Sequence, residues 1–357
     1  MDKYIGFDID DKKTVACIVQ QGEKDMYETI PTDVECMKKL LQNHRKGSRP
    51  LHLTFEVSGR AGWLYDELLD TVSNLQVCNP SEMTWIYRTK KKTDRIDARK
   101  MAYLSMMGVL PTVHMPKKVV RQWRQRIQHR RKLVSSTTRV KNQIRTLIKN
   151  QGLKKPGDKQ GWWSKATRIA MQQLCDNPSE DWTYCLEDLL EQLELHEKQV
   201  VRVTKQLDEK LSQHPGGPLL QTIPGVGPRT AEAILAYTDN IERFRRGKDY
   251  ASYFGMTPKL DQSGQMRRDG HISKQGPSVV RWLIVESAWR AIQHNKSLNQ
   301  FYQRVLHGQK NRKKIAIVAT ARKMLTIMRA MLLTGEVFNE NLVLKQEQCP
   351  KLLKKVV

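Results

Sequence analysis

The sequence has few acidic residues for its length. Asp and Glu number 37 among 357 residues, against 62 Lys and Arg, so the formal net charge is +25. A positive excess of this size indicates a polyanionic partner, and nucleic acid is the commonest one. A ribosome-like or membrane-surface role is the competing interpretation of the same charge. A hydrophobic content of 39% and eight tryptophans favour folded domains over a disordered basic chain.

The sequence also lacks paired cysteines and long apolar runs. Six cysteines stand at positions 17, 36, 78, 175, 185 and 349, and no two of them form a Cys-x-x-Cys pair. This scatter predicts free thiols in a reducing compartment and excludes the usual zinc spacings. No window approaches the roughly 18–20 apolar residues of a membrane span, and MDKYIGFDID lacks the apolar core of a signal peptide. We therefore expect a soluble, cytoplasmic protein with no membrane partner.

The first 112 residues have the pattern of an α/β domain. Short β-branched runs in KYIGFDID and KTVACIVQ predict a hairpin around the polar turn Asp10–Lys12, and LHLTFEVSG predicts another strand. AGWLYDELLDTVSN has helical spacing, and LQVCNP predicts a short strand stopped by Pro80. Strands mixed with crossover helices predict a layered α/β domain over 1–112.

Four carboxylates in this domain are candidates for one metal site. Asp8 and Glu56 each lie near the carboxyl end of a predicted strand, where α/β sheets build their sites. The stretch KKKTDRIDARK adds Asp94 and Asp97 at the start of a helix. Clustered carboxylates repel unless a cation neutralises them, and an all-oxygen set suits Mg²⁺ or Mn²⁺. Two such ions are the standard device for phosphodiester chemistry.

Each acid also has an ordinary structural interpretation. Asp94 and Asp97, three residues apart among cations, fit a solvated ion-pair face, where each pair stabilises a helix by roughly 0.2–0.5 kcal/mol. Asp8, Asp10 and Asp11 fit a polar turn, and Glu56 fits a charge at a strand end. Asp10 is also an alternative ligand to Asp8, because strand alternation places both on one face.

A strongly basic helical region follows. From Ala98 to Gly157 the chain has 16 Lys and Arg and no Asp or Glu. Apolar residues in 117–150 recur at helical spacing, which predicts a long amphipathic helix with a basic outer face. A second helix, predicted over about 182–213, has a heptad of Leu and Val with His196 in one seam position. We expect an antiparallel helical hairpin or an oligomerising coiled coil over 113–215; dimerisation alone is sufficient to explain it.

The remainder is predicted to form a mainly helical unit over 216–340 and a basic tail over 341–357. TIPGVGPRTAEAIL (222–235) has the glycine and proline placement of a helix-hairpin-helix turn. Gly225 and Gly227 permit a tight backbone with exposed N–H groups, which grips phosphates without reading sequence. A plain glycine-rich connection between helices is the alternative interpretation.

A serine in the segment YFGMTPKLDQSGQMRRDGHISKQGP is a candidate nucleophile. Ser263 stands beside Gly264 in what the composition predicts to be a polar loop. Nearby cations can lower its pKa and stabilise developing phosphate charge. They are Lys259, Arg267, Arg268, His271 and Lys274. A loop serine that only makes turn hydrogen bonds is the alternative.

IGFD, FEVSG, KTDRIDA, IPGVGPRTA, YFGMTP and QSG, in this order, resemble the DEDD transposases of insertion sequences. These are relatives of the Piv-type DNA invertases and are known as bridge-RNA-guided recombinases. The resemblance covers about 1–335; FEVSG stands where Glu-Ala-Thr-Gly is usual, and GFDID offers an extra acid. It implies an α/β RuvC-like (ribonuclease H-type) domain, a coiled-coil insertion and a mainly helical C-terminal transposase domain.

The resemblance also implies a site and a reaction. DNA would be cut and rejoined through a phosphoserine intermediate, with Mg²⁺ or Mn²⁺ as cofactor. The nucleophile of the family falls on Ser263, with Ser252 and Ser273 as nearby alternatives. Its metal-binding carboxylates fall on Asp8, Glu56, Asp94 and Asp97.

The partners implied are donor and target DNA, a structured noncoding guide RNA, and further copies of the chain in a dimer or tetramer. In such an assembly the serine and the acids can come from different protomers. The rival hypotheses are a RuvC-like junction resolvase or nuclease in which Ser263 is idle, and a non-catalytic nucleic-acid-binding protein. Residues expected to contact nucleic acid are Lys92, Arg95, Arg130, Arg131, Lys132, Gly225, Gly227, Arg229, Arg267, Arg268 and Lys274.

Overall fold

A computed structural model describes most of the chain in two compact units. The described residues are 1–45, 49–86, 93–157, 161–176, 181–263 and 266–340, with side chains left out for 84–86 and 260–269. The two units are Met1–Arg121 and Gln122–Val357. Their boundary falls in the first turns of a long helix that begins at Lys118. Within the described ranges, no helix is both long and apolar enough to cross a membrane.

The first unit is built on a five-stranded sheet of order β3-β2-β1-β4-β5. Strands β1, β2 and β3 are antiparallel neighbours, whereas β4 and β5 run parallel to β1. The register pairs Phe7 with Phe55, so the carboxyl ends of β1 and β4 are level. The strands are β1 (Lys3–Ile9), β2 (Lys13–Gln20), β3 (Met26–Pro31), β4 (Leu51–Glu56) and β5 (Asn74–Cys78).

Helices cover both faces of this sheet. They are α1 (Val34–His44), α2 (Ala61–Leu68), α3 (Pro80–Ile86) and α4 (Asp94–Met106), with a 3-10 turn at Leu69–Thr71. Phe7 and Phe55 face α1 and α2 in one core cluster. Val15 and Cys17, on the opposite face, pack with Ala98 of α4 in another. Successive side chains of the central strands thus enter two different cores, so the strands are buried on both faces and form the α/β domain that the sequence predicts.

Gly6 brings α4 into direct contact with β1. A Cβ built on Gly6 would overlap the Ala98 carbonyl oxygen and lie 2.9 Å from the Ala102 amide nitrogen. Only glycine leaves room for a helix backbone at this distance from a strand. The contact holds α4 against the middle of β1 at Ala98 and Ala102, just after the helix turn that carries Asp94 and Asp97.

The second unit is mainly helical. Its helices are α5 (Lys118–Asn150, which begins in the first unit), α6 (Lys165–Cys175), α7 (Asp181–Ser212), α8 (Gly216–Gln221), α9 (Pro228–Thr238), α10 (Gly247–Tyr253), α11 (Ser278–His294), α12 (Lys296–Leu306) and α13 (Lys313–Thr334). A hairpin of β6 (Pro258–Ser263) and β7 (Met266–Ile272) and a 3-10 turn at Lys310–Arg312 complete it. An α/β domain followed by a mainly helical region confirms the coarse prediction.

Helices α5 and α7 pack against each other in opposite directions. Trp123 near the start of α5 shares a core cluster with Leu207 near the end of α7. Ile144 near the end of α5 shares a second cluster with Leu186 near the start of α7. The apolar spacing read from the sequence thus becomes the seam of an antiparallel pair.

Candidate active site

Asp8 and Glu56 occupy corresponding positions on neighbouring parallel strands. Each follows the phenylalanine of the Phe7–Phe55 pair. Those rings face α1 and α2, so alternation directs both carboxylates to the opposite face, which α4 covers. Both residues are half-buried. The structure therefore brings together the two strand acids that the sequence singles out.

Helix α4 supplies the other two carboxylates from its first turn. Thr93 caps the helix, because its Oγ1 accepts the Ile96 N–H at 3.3 Å. Asp94 and Asp97 follow at once, where the helix dipole stabilises negative charge. Asp97 Oδ1 accepts from Lys100 Nζ at 2.9 Å. The turn of α4 that carries the two candidate metal ligands thus also contains an ion pair, as the alternative interpretation expects.

Lys13 is a further residue of this candidate site, and no sequence pattern singles it out. It begins β2, and its Nζ donates to Asp94 Oδ2 at 2.6 Å. The hydrogen bond to Asp94 raises the pKa of Lys13, and the charges of Asp10 and Asp8 raise it further. The same hydrogen bond lowers the pKa of Asp94. One ammonium group is therefore coupled to carboxylates from β1, from the turn after it and from α4.

The donors suit Mg²⁺ or Mn²⁺ in chemistry. The candidate ligands are all oxygens, and burial raises the pKa of the neighbouring Cys78 thiol to about 12, which keeps it protonated. A cation already fits beside Asp94, since the Lys13 ammonium lies there. Among the residues that the structure describes, no group of three or more His, Cys, Asp or Glu is close enough to hold a metal ion. The candidate ligands therefore have the right chemistry for the metal and lie at the same edge of the sheet, but the described carboxylates are not close enough together to form a metal site.

Two of the cations around Asp94 and Asp97 contact neighbours on other elements. The Arg95 guanidinium lies 5.1 Å from the centre of the Tyr27 ring on β3. Arg99 Nε donates to Asp25 Oδ2 at 2.7 Å. Lys92 lies outside the described residues. Arg95 and Arg99 therefore link α4 to β3 and to the turn before β3.

Ser263 lies at the end of a strand rather than in a loop. It is the last residue of β6 and pairs with Met266 across the hairpin. Arg267 and Arg268 lie on β7, and their side chains, like that of Ser263, are outside the description. The predicted polar loop is therefore a β-hairpin. The glycine between two short segments is a sequence signal for a hairpin turn. The segments themselves are mostly polar, so they lack the alternation of apolar and polar residues from which strands are predicted.

The two alternative serines differ in accessibility. Ser252 is exposed on α10. The Oγ of Ser273 is shielded from solvent and has no hydrogen-bond partner among the described residues. A shielded hydroxyl cannot reach a DNA phosphate without rearrangement. Of the two alternatives, only Ser252 is open to a ligand.

The segments that flank the hairpin are locked together. A Cβ on Gly255 would overlap the Gln275 carbonyl oxygen, and Lys274 has a left-handed backbone at φ +56°. Arg281 Nη1 donates to three main-chain carbonyls, those of Phe254 at 3.3 Å, Gln275 at 3.1 Å and Gly276 at 2.8 Å. The base of the hairpin is therefore held by close backbone packing at Gly255 and by the hydrogen bonds of the Arg281 side chain.

The two glycines of the GVGP turn have different surroundings. Gly225, at φ +86°, packs on α11, where a Cβ would lie 2.6 Å from the Ala291 nitrogen and 2.7 Å from the Ser287 oxygen. Gly227 is exposed, caps α9 and has open space around it. Close packing therefore explains Gly225, and only Gly227 offers an open backbone to a phosphate.

Arg229 and Arg130 take part in a partly buried polar network around the buried Glu232. Arg229 pairs with Asp208 of α7, and its Nη1 lies 3.1 Å from Glu232 Oε2. Arg130 Nε donates to Thr204 Oγ1 at 2.7 Å. Burial raises the pKa of Glu232 to about 7 although Arg229 and Arg130 lower it. These two arginines connect α5, α7 and α9 from the inside.

Arg131 and Lys132, the next two residues of α5, are exposed. Within the part of the chain that the structure describes, Arg131 makes only a long contact, 3.5 Å from its Nη1 to Ser278 Oγ. Among the candidate binding cations of α5, these two are available to a polyanion.

Comparisons with known proteins find transposases. A DEDD transposase model of the IS110 type matches residues 5–151, and a model described as transposase IS116/IS110/IS902 family matches residues 217–303. The chain is 24% identical over 354 residues to a pilin gene-inverting protein of Moraxella lacunata, covering 95% of this chain and 98% of that one. It is 24% identical over 280 residues to a probable family 20 transposase of Pseudomonas aeruginosa, covering 76% and 80%. A transposase for insertion sequence element IS1111A of Coxiella burnetii is 24% identical over 289 residues, covering 80% and 79%.

Proposed function

Because the chain belongs to the IS110/IS116 family of DEDD transposases, we propose that this transposase cuts and rejoins DNA through a covalent phosphoserine intermediate. The observation that most directly supports a phosphodiester site is the level position of Asp8 and Glu56 on parallel strands, with Asp94 beside the cation that Asp8 also influences. The sheet order β3-β2-β1-β4-β5 supports a RuvC-like, ribonuclease H-type domain.

The metal-binding residues in this proposal are the four acids at that edge of the sheet. Asp10 is an alternative to Asp8, because it influences the same ammonium group. A bound Mg²⁺ or Mn²⁺ would polarise the scissile phosphate and stabilise charge on the attacking and leaving oxygens. The acids that would hold it are Asp8, Glu56, Asp94 and Asp97.

Ser263 is the nucleophile in this proposal. Its Oγ forms a bond to phosphorus while the bond from phosphorus to a deoxyribose oxygen breaks. The hydroxyl proton leaves the serine, and the departing oxygen takes up a proton. The phosphoserine retains the energy of the broken bond, so that a second deoxyribose hydroxyl can attack it and release the serine unchanged. Reaction by this route rejoins strands without an external energy source.

A structured noncoding guide RNA would select the donor and target DNA by base pairing. The protein then needs contacts to backbone and shape rather than to base edges. The net charge of +25 and the exposed Arg131 and Lys132 support such contacts. Ser263 and the acids belong to different compact units, which suits an oligomer in which protomers complement each other.

A covalent-adduct assay tests the nucleophile. The full chain is expressed with its flanking genomic DNA and mixed with Mg²⁺ and DNA carrying the element junction. We expect an SDS-resistant, protease-sensitive protein–DNA species that Ser263→Ala abolishes. Ser252→Ala, which removes an exposed hydroxyl nearby, is the matched control and should retain the adduct. An adduct that persists in Ser263→Ala and disappears in Ser252→Ala would identify Ser252, rather than Ser263, as the nucleophile.

The rival nuclease hypothesis predicts a different pattern. If the carboxylates hydrolyse DNA alone, Asp94→Asn stops cleavage, Ser263→Ala does not, and no adduct forms with any variant. A non-catalytic binding protein would be unaffected by either substitution.

A further inference from the structure

We infer that Lys13 is the internal counter-ion of the carboxylate site and that a divalent metal ion displaces its ammonium group on binding. The inference rests on the proposed metal role of Asp8 and Asp94. Lys13 Nζ lies 2.6 Å from Asp94 Oδ2, a contact between residues 81 positions apart in the sequence. Among the described residues, Lys13 is the cation paired with the acid that begins α4.

The position of Lys13 follows from the register of the sheet. Val15 and Cys17 of β2 pack against α4, so Lys13, two residues earlier, projects on the same face. Val15 is the partner of Asp8 in the antiparallel pair with β1. Asp10 N–H donates to the Lys13 carbonyl at 3.0 Å across the turn. The ammonium group therefore lies on the face that Asp8 and Asp94 share.

A cation in this position has an electrostatic reason. Carboxylates that face one another repel, and a positive group among them reduces that repulsion when no metal is bound. The side chains of Lys13 and Asp94 are 53% and 48% exposed. A pair this open to water is weakly held, because solvent screens it. A divalent ion with several carboxylate ligands can therefore replace the single ammonium contact.

The first measurement is metal affinity. Mn²⁺ is titrated by calorimetry into the full-length wild type, Lys13→Met and Lys12→Met. Lys12 is exposed, adjacent and of equal charge, so its variant reports the general effect of removing one positive charge. We expect Lys13→Met to bind Mn²⁺ about 2- to 5-fold more tightly than wild type, the range set by a solvent-exposed ion pair, and Lys12→Met to change less.

The second measurement follows the lysine itself in the wild type. Brief acetylation is read by mass spectrometry with and without Mg²⁺. We expect Mg²⁺ to increase labelling of Lys13 severalfold and to leave Lys12 unchanged. In Asp94→Asn, Lys13 should be labelled rapidly whether or not Mg²⁺ is present.

The outcomes separate this inference from the function on which it rests. If Mn²⁺ binding is lost in Asp94→Asn but Lys13→Met binds no more tightly than Lys12→Met, the site is correct and the counter-ion role is wrong. Labelling of Lys13 that metal does not change would mean that the ammonium stays in place, which also overturns the displacement. If wild type binds no Mn²⁺, the proposed metal site fails and this inference fails with it.

Discussion

At the scale of single residues, charged side chains of this protein are either bonded within the fold or exposed to solvent, and the sequence alone does not separate the two cases. Arg130 and Arg131 are neighbours with the same chemistry, yet Arg130 bonds Thr204 and Arg131 is exposed. Lys13 was invisible as a site residue because its partner is remote in sequence. Asp8 and Glu56 were recognisable because a carboxylate at the end of an apolar strand is rare.

Glu232 gives a prediction about pH. Its side chain is 2% exposed, and burial raises its pKa to about 7, above the ordinary value of 4.5. An acid whose folded pKa is raised contributes stability below pH 4.5 that is lost as the pH rises through 7. Glu232→Gln is uncharged at every pH, so it should not lose this stability. The variant's free energy of unfolding minus that of wild type should therefore be larger at pH 8 than at pH 4.5, by up to about 3 kcal/mol. Urea unfolding of both proteins between these pH values measures this difference, with Glu209→Gln, at an exposed position, as the control. Parallel plots of unfolding free energy against pH for wild type and Glu232→Gln would contradict the prediction.

At the scale of elements, the helices and strands predicted from the sequence bury an apolar face, but α1, which also buries one, was not predicted. The helix predicted over about 182–213 is α7, Asp181–Ser212, and the β-branched runs became β1, β2 and β4. Strand β3 was missed because MYETIP buries no residue fully at the sheet edge. The β6–β7 hairpin was missed because PKLDQS and MRRDGHI are mostly polar, so no period-2 pattern reveals them.

The contact between β1 and α4 is the element-scale feature that most affects the site. Gly6→Ala would force the Ala98 backbone away and move the turn of α4 that carries Asp94. We expect a loss of about 1–3 kcal/mol in the free energy of unfolding of the first unit, the usual cost of overpacking, together with weaker Mn²⁺ binding. Gly59→Ala, where a Cβ meets nothing within 4 Å, is the matched control. Urea unfolding and calorimetry measure both effects, and equal behaviour of the two variants would show that α4 adjusts freely.

At the scale of the whole molecule, positive charge is concentrated on α5 and negative charge on α7. The stretch from Ala98 to Gly157 has no acid, whereas Asp181–Glu197 has six acids and no Lys or Arg. Part of this opposition is internal, since Glu197 bonds Arg168 at 2.7 Å and Lys141 at 2.8 Å. The cations of α5 that remain exposed are available to an external polyanion. Net charge therefore predicts a nucleic-acid partner without identifying which cations contact it.

The salt dependence of binding tests this division. Arg131→Ala with Lys132→Ala should weaken binding of duplex DNA or guide RNA and reduce the slope of log K against log salt by up to about 1.8 for duplex DNA, or roughly 0.9 per phosphate contact. The control, Lys198→Ala with Lys205→Ala, removes the same charge from exposed positions of α7 and should leave the slope unchanged, because those lysines lie on the acidic helix. Fluorescence anisotropy between 50 and 300 mM salt, roughly the range over which phosphate contacts are screened, gives both slopes. Equal losses in the two double variants would mean that total charge, rather than the exposed face of α5, holds the nucleic acid.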